Sequence, residues 1–99
     1  MTYSIVWKYT VPSDALEDFE KAYGKDGYWA RLFGESPSYL ESELLMGDNS
    51  NEYLLIDKWT SKEAYNKFLT DNKDTYQQAS DRFTHLYTSE EKLGCFSSI

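Results

Sequence analysis

Residues 52–68 read EYLLIDKWTSKEAYNKF, and two structural periods meet inside them. From Glu52 to Trp59 the apolar residues occupy both parities: Tyr53, Leu55 and Trp59 on one, Leu54 and Ile56 on the other. That pattern predicts a strand buried on both faces. Thr60-Ser61-Lys62-Glu63 follows with the spacing of a capping box, in which the Thr60 hydroxyl and Glu63 carboxylate satisfy each other's exposed backbone donors. Ala64, Tyr65, Phe68 and Leu69 then recur at helical spacing. The stretch is a strand running into a capped helix, with Trp59 at the joint.

Toward the N-terminus, Gly47-Asp48-Asn49-Ser50-Asn51 is a turn by composition, and Tyr39–Met46 reads as a second strand. The two strands are expected to form a hairpin, with Leu40, Leu44 and Met46 on one side of the second. Within residues 25–37, Trp29, Leu32 and Phe33 have helical spacing, but Gly27, Gly34 and Pro37 limit them to a short helix. Tyr3–Val11 alternates strictly, with Tyr3, Ile5, Trp7, Tyr9 and Val11 on one face. Pro12-Ser13-Asp14 ends that strand, and Ser13 is placed to cap a helix whose apolar stripe is Ala15, Leu16, Phe19, Ala22 and Tyr23. Gly24 is a reasonable stop for it.

Toward the C-terminus, residues 71–74 break or bend the second helix. Tyr76, Ala79, Phe83 and Leu86 carry the helical spacing on to about Tyr87. Thr88-Ser89-Glu90-Glu91 repeats the capping pattern for a turn, and Lys92–Ile99 is the expected fourth strand. The order strand, helix, strand, strand, helix, strand is the α+β, ferredoxin-like split βαβ arrangement with an antiparallel sheet. Helices cover one face of such a sheet. An apolar second face left open would be an unusually large exposed patch, so a second copy packed sheet against sheet is expected, giving a two-fold homodimer.

Length and composition limit the rest. Ninety-nine residues make one domain, 1–99, with 40% hydrophobic and 17% aromatic residues. A formal charge of −7, with no Lys/Arg cluster, argues against nucleic acid or anionic membrane as partners. No stretch approaches the roughly 20 apolar residues of a membrane span. The start, MTYSIVWKY, alternates like a strand and lacks a signal peptide's apolar run. Cys95 is the only cysteine, so no intrachain disulfide can form, and a cytoplasmic location is expected.

Three segments, IVWKYTVPSDALEDFEKAY, PSYLESELL and YLLIDKWTSKEAYNKF, together resemble the antibiotic biosynthesis monooxygenase family. The joint Trp59, Ser61, Glu63 and Ala64 follows that family's Trp-x-Ser-x-Glu-Ala pattern. Ser38 departs from it, standing where the turn usually carries Gly. The resemblance implies a dimeric α+β barrel. It also implies chemistry of one of several kinds: oxidation of small aromatic or quinol-like compounds by oxygen without metal or flavin, or haem degradation. The haem-degrading branch uses an Asn, a Trp and a His. The corresponding positions here are Trp7, Phe68 and Gln78, so that activity is not expected.

One His and one Cys leave too few ligands for a zinc site. No nucleophile elbow, phosphate loop or dinucleotide fingerprint is present, so no cofactor or metal is expected. Cofactor-free oxidation would need an aromatic pocket, a base and a donor for a developing oxyanion. Trp7 and Tyr9 on the first strand, Trp29 or Phe33 in the connection, and Tyr65 and Phe68 on the helix after Trp59 are the candidate lining, with core packing the simpler role for Phe33 and Phe68. Gln78, Arg82 and His85 are spaced by four and three, as if on one helix face, and would bring a cation and a base to it. His85, Tyr9 and Asp57 are the candidate catalytic groups. His85 is singled out because its unperturbed pKa suits proton transfer near neutrality. Asp57 is singled out because it alternates with Leu55 and Trp59. Cys95 reads as a small apolar strand residue. The leading expectation is a monooxygenase-like protein that binds and oxidises a small aromatic or polyketide-like compound. The alternatives are a non-catalytic binding module for a small hydrophobic ligand and a proton-transfer isomerase or cyclase on the same scaffold.

Overall fold

The computed structural model describes residues 1–49 and 51–99. Four strands form one antiparallel sheet: β1 (Tyr3–Thr10), β2 (Tyr39–Met46), β3 (Glu52–Trp59) and β4 (Ser89–Ser97), in the spatial order β2-β3-β1-β4. Helix α1 (Leu16–Tyr23) and the short α2 (Tyr28–Phe33) follow β1, and α3 (Lys62–Asp71) and α4 (Lys73–Phe83) follow β3. This is the α+β, split βαβ arrangement. The hairpin joins β2 to β3, with the Gly47 N–H donating to the Glu52 carbonyl and the Glu52 N–H to the Asn49 carbonyl. Of the turn expected there, Ser50 lies outside the described residues. Among the described residues no helix is long and apolar enough to cross a membrane.

The helices lie on the face carrying Tyr3, Ile5 and Tyr9 of β1 and Tyr53, Leu55, Asp57 and Trp59 of β3, all buried. Ile5, Val11, Phe19 and Trp59 are fully enclosed, and Phe19 stacks nearly parallel on Tyr23. Between α1 and α2 the backbone closes tightly: a Cβ on Gly27 would stand 2.6 Å from the Lys21 carbonyl oxygen. Only glycine permits that approach.

Several local expectations are corrected. Ser61, not Thr60, caps α3: its hydroxyl accepts the Ala64 N–H at 3.1 Å. The Thr60 N–H instead donates to the Ser38 carbonyl, extending the sheet by one residue. Ser61→Ala should therefore cost about 1 kcal/mol in urea unfolding. Thr60→Ala should cost little, and equal losses would contradict the assignment. Ser13 does not cap a helix either. It opens a 3₁₀ turn, Ser13–Ala15, and its hydroxyl accepts from the Asn51 side chain. The helix after β3 breaks outright at Asn72, and α4 passes into a 3₁₀ turn at Thr84–Leu86. Residues 89–91, expected as a turn, are strand: β4 begins at Ser89 because its first residues pair with Tyr9 and Thr10.

Both edge strands carry an extra residue. In β2 the pairing steps from Tyr39↔Trp59 to Glu41↔Lys58, leaving Leu40 unpaired. In β4 it steps from Gly94↔Val6 to Lys92↔Trp7, leaving Leu93 unpaired beside Gly94 at φ +157°. Each bulge switches the parity of the strand. Tyr39 thus shares the helix-side face with Ser42, Leu44 and Met46, and Leu40 does not join Leu44 and Met46 as expected. Glu90 and Lys92, instead of Glu91 and Leu93, lie beside Tyr9 and Trp7. The opposite face of the sheet carries Val6, Leu45, Leu54, Ile56 and Phe96, bordered by the Lys8–Glu52 and Lys58–Glu43 ion pairs. Cys95 is exposed, because no helix covers β4.

Candidate functional site

A carboxylate in the middle of a core face needs a reason to be there, and Asp57 has only a partial one. It is 6% exposed on β3, between Leu55 and Trp59. The Ser42 hydroxyl donates to its Oδ1 at 2.6 Å. That bond uses the one hydroxyl proton Ser42 has, so the Tyr39 hydroxyl, 2.6 Å from Ser42 Oγ, is the donor in the next bond. The result is a directed chain, Tyr39 to Ser42 to Asp57, reaching from a half-buried phenol to a buried carboxylate. It exists because the Leu40 bulge places Tyr39 and Ser42, three residues apart, on one face. Among the described residues no Lys, Arg or His pairs with Asp57. Burial pushes its carboxyl up to about 6, and the Ser42 bond opposes this only in part. A carboxylate so tuned can take a proton near neutral pH.

Asp57 lines a small cavity of about 40 Å³ between the sheet and helices α1, α2 and α4. Tyr9, Tyr23, Trp29, Phe33 and Leu55 form its buried wall. Trp7, Tyr76 and Ser80, all partly covered, surround its mouth together with the exposed Glu90. The Tyr9 hydroxyl donates to Glu90 Oε2 at 2.7 Å. Burial first, and that bond second, push Tyr9 far above the ordinary phenol range, so it stays a donor. The Trp29 indole N–H has no hydrogen-bond partner. It comes close enough to the Tyr23 hydroxyl to offset part of the upward push of burial on that phenol, without reaching bonding geometry. A buried orphan donor is costly and is available to an acceptor brought in by a ligand. The cavity as it stands holds roughly two or three waters. An aromatic ring needs a space on the order of 150 Å³, so it enters only if the partly covered Trp7 or Tyr76 swings aside.

Of the residues expected at a site, Trp7, Tyr9, Trp29 and Asp57 meet at this cavity, and Phe33, the alternative to Trp29, lines it as well. Tyr65 and Phe68 do not line it. They pack on Trp59, at ring separations of 5.5 and 5.3 Å, as part of the core. Gln78, Arg82 and His85 are exposed. The inward stripe of α4 is Tyr76, Ala79, Ser80 and Phe83, which turns Gln78 and Arg82 away from the cavity. The 3₁₀ turn then ends the helical phase before His85. Arg82 stacks on Tyr28 and Phe83, and with His85, Lys21 and Arg31 lines a shallow groove on the outer surface of the helices. Ser42, Tyr39, Tyr23, Tyr76, Ser80 and Glu90 belong to the site without having been singled out. Tyr23 and Tyr76 carried a signal, since both lie on apolar stripes already recognised. Ser42 shares the parity of Leu44 and Met46, so alternation alone places it on that face; Tyr39 and Glu90 carried no signal, because bulges decide which way they face.

No protein-family profile matches the sequence, and no curated protein does. Solved structures do match over nearly the whole chain. SnoaB, a cofactor-independent oxygenase from Streptomyces nogalater, is 22% identical with a TM-score of 0.78, over 99% of this chain and 93% of that one. Proteins provisionally named antibiotic biosynthesis monooxygenases match likewise. The one from Bordetella bronchiseptica is 12% identical at TM-score 0.77, over 99% and 97%. The one from Deinococcus radiodurans is 14% identical at TM-score 0.75, over 99% and 92%. At these identities the likeness is one of fold: this chain has the fold of the antibiotic biosynthesis monooxygenases.

Proposed function

We propose that the cavity around Asp57 receives a small aromatic or polyketide-like compound and that the protein oxidises it with molecular oxygen, without a cofactor. One observation carries this reading: a buried carboxylate with no cationic partner among the described residues lies in the wall of an aromatic cavity that Trp29, whose indole N–H is unpartnered, also lines. Asp57 takes a proton from an acidic C–H or O–H of the compound. The Trp29 N–H donates to the oxyanion that this creates, and the surrounding rings keep water out. The electron-rich anion supplies the electrons to oxygen. For an acidic CH₂ the balance is CH₂ + O₂ → C=O + H₂O, one oxygen atom entering the product and the other leaving as water. Tyr9 holds Glu90 in place, and His85, on the outer surface, takes no part. SnoaB, of the same fold, is described as a cofactor-independent oxygenase, which agrees with this reading.

Oxygen uptake with a panel of activated quinols tests it. Uptake should be unchanged by metal chelation and by His85→Ala. No turnover across a broad panel would count against oxidation, and product formed under argon would favour the isomerase or cyclase reading instead.

The reading includes a homodimer in the cytoplasm. Leu54 and Ile56 are half-buried and Leu45 and Phe96 exposed on the sheet face without helices, an apolar surface suited to a second copy. Light scattering at micromolar concentration should give twice the mass of the chain; a monomer there would refute the assembly.

A further inference from the structure

The chain carries −7, yet its two arginines and its single histidine line one groove. This is a hollow of about 420 Å³ on the outer surface, where α1, α2 and the 3₁₀ turn after α4 meet. Lys21, Arg31, Arg82 and His85, all exposed, form its rim, and Asp18 is the only acid among its lining residues. In the hollow between residues 35–38 and α3, by contrast, Lys67 stands against Glu35 and Asp71. Lys21 pairs with Glu17 at 3.3 Å, but among the described residues neither arginine nor His85 forms an ion pair. Arg31 is tied through Nε, which donates to the Asp26 carbonyl at 3.2 Å, so its two terminal nitrogens stay available. The Arg82 guanidinium lies 5.4 Å from the centres of both the Tyr28 and Phe83 rings, which hold it in place without using a donor. The floor is apolar: Ala22 and Leu86 are buried and Phe83 half-buried.

Two guanidiniums with free donors above an apolar floor suit an anion that has an apolar body. A carboxylate offers two oxygens and one charge, enough for one guanidinium fork. A phosphate monoester offers three oxygens and up to two charges, and so answers both arginines. Size agrees, since about 420 Å³ lies in the range of ligand sites and the open groove admits a ring as it stands.

We propose that this groove is a second binding site, for a small organic phosphate whose apolar body lies over Ala22 and Leu86. Arg31 and Arg82 donate to the phosphate oxygens, and Lys21 and His85 stand at the rim beside them. Asp18 is the one opposing charge in the lining. The site is separate from the Asp57 cavity, and the proposal does not rest on oxidation there.

His85 is the only histidine, so the C2 proton of its imidazole gives a single NMR signal that reports on this groove and not on the Asp57 cavity. At fixed pH and ionic strength, phenyl phosphate should move that signal to saturation. It should bind about tenfold more tightly than inorganic phosphate or benzoate. Benzyl alcohol should leave the signal where it is. Arg31→Gln and Arg82→Gln should each weaken phenyl phosphate about tenfold. Lys73→Gln, an equal loss of charge at the other end of α4, should not weaken it. A signal that phenyl phosphate does not move, equal movement by benzyl alcohol, or equal losses in all three variants would overturn the proposal. So would an affinity unchanged in both arginine variants. Inorganic phosphate or benzoate binding as tightly as phenyl phosphate would overturn it too, the first by making the floor idle and the second by making the head wrong. Oxygen uptake has no part in this readout, so failure here leaves the Asp57 cavity as described.

Discussion

Asp57→Asn should leave a protein that is more stable than its parent at pH 8 and inactive. The carboxyl is raised from 3.8 to about 6 in the folded chain, chiefly by burial. A group raised on folding binds its proton more tightly in the native state, so its contribution is fully present below pH 3.8. It is then lost as pH rises through about 6. The interval corresponds to about 3 kcal/mol of destabilisation at alkaline pH. Asparagine has no charge to bury and keeps an oxygen that can accept the Ser42 hydroxyl. The stability difference between variant and parent should therefore be near zero at pH 4 and grow to about 3 kcal/mol by pH 8, read from denaturant unfolding at several pH values. Loss of the base should lower the rate of oxygen uptake by on the order of 10²–10⁴. A difference that does not vary with pH would mean that the Asp57 environment is not as described. A gain in stability with full activity would mean that Asp57 is buried for some reason other than catalysis.

The second large effect is structural. Trp59 is fully enclosed, with the rings of Phe33, Tyr39, Tyr65 and Phe68 between 5.3 and 5.5 Å from its own. Trp59→Ala should cost about 3–5 kcal/mol, much of the roughly 5–15 kcal/mol that holds a typical domain together. Its indole N–H makes no hydrogen bond. Trp59→Phe therefore breaks none, and should cost less than about 2 kcal/mol, the price of a smaller ring in the same space. Because Tyr39 rests on Trp59 and begins the chain whose last bond opposes the upward push of burial on Asp57, the alanine variant should also steepen the pH dependence of stability. An alanine variant that unfolds like the parent would exclude Trp59 as the centre of the core.

The fold was readable from residues 52–68 because two strong periods and their junction lie in one short stretch, and the apolar residues on both parities of β3 stand in the sequence itself. The site was readable only where strands are regular. Trp7, Tyr9 and Asp57 lie on β1 and β3, whose mutual pairing is unbroken, so alternation places them correctly. Gln78, Arg82 and His85 share a spacing that suits an inward face, but the neighbouring Tyr76, Ala79 and Phe83 have more apolar surface to bury and take that face instead. Tyr39 and Glu90 sit beyond bulges, where the parity rule reverses and one sequence carries no mark of the reversal, whereas Ser42 keeps the parity of Leu44 and Met46. The capping serine was shifted by one position for a similar reason: Thr60 is still held by a sheet hydrogen bond when the helix begins.

The two bulges have another effect, on what the sheet does in a crowded solution. Both β2 and β4 are edge strands with backbone donors and acceptors turned outward, and a straight edge of that kind is a template on which another chain can add as a further strand. An unpaired residue in each edge interrupts the ladder and increases its twist, so a passing strand finds no long matching row. Association is thereby steered away from open-ended growth along the sheet. Shortening β4 by its unpaired Leu93, to make a regular edge, should expose this: the protein would keep its fold yet become prone to fibrillar aggregation on concentration.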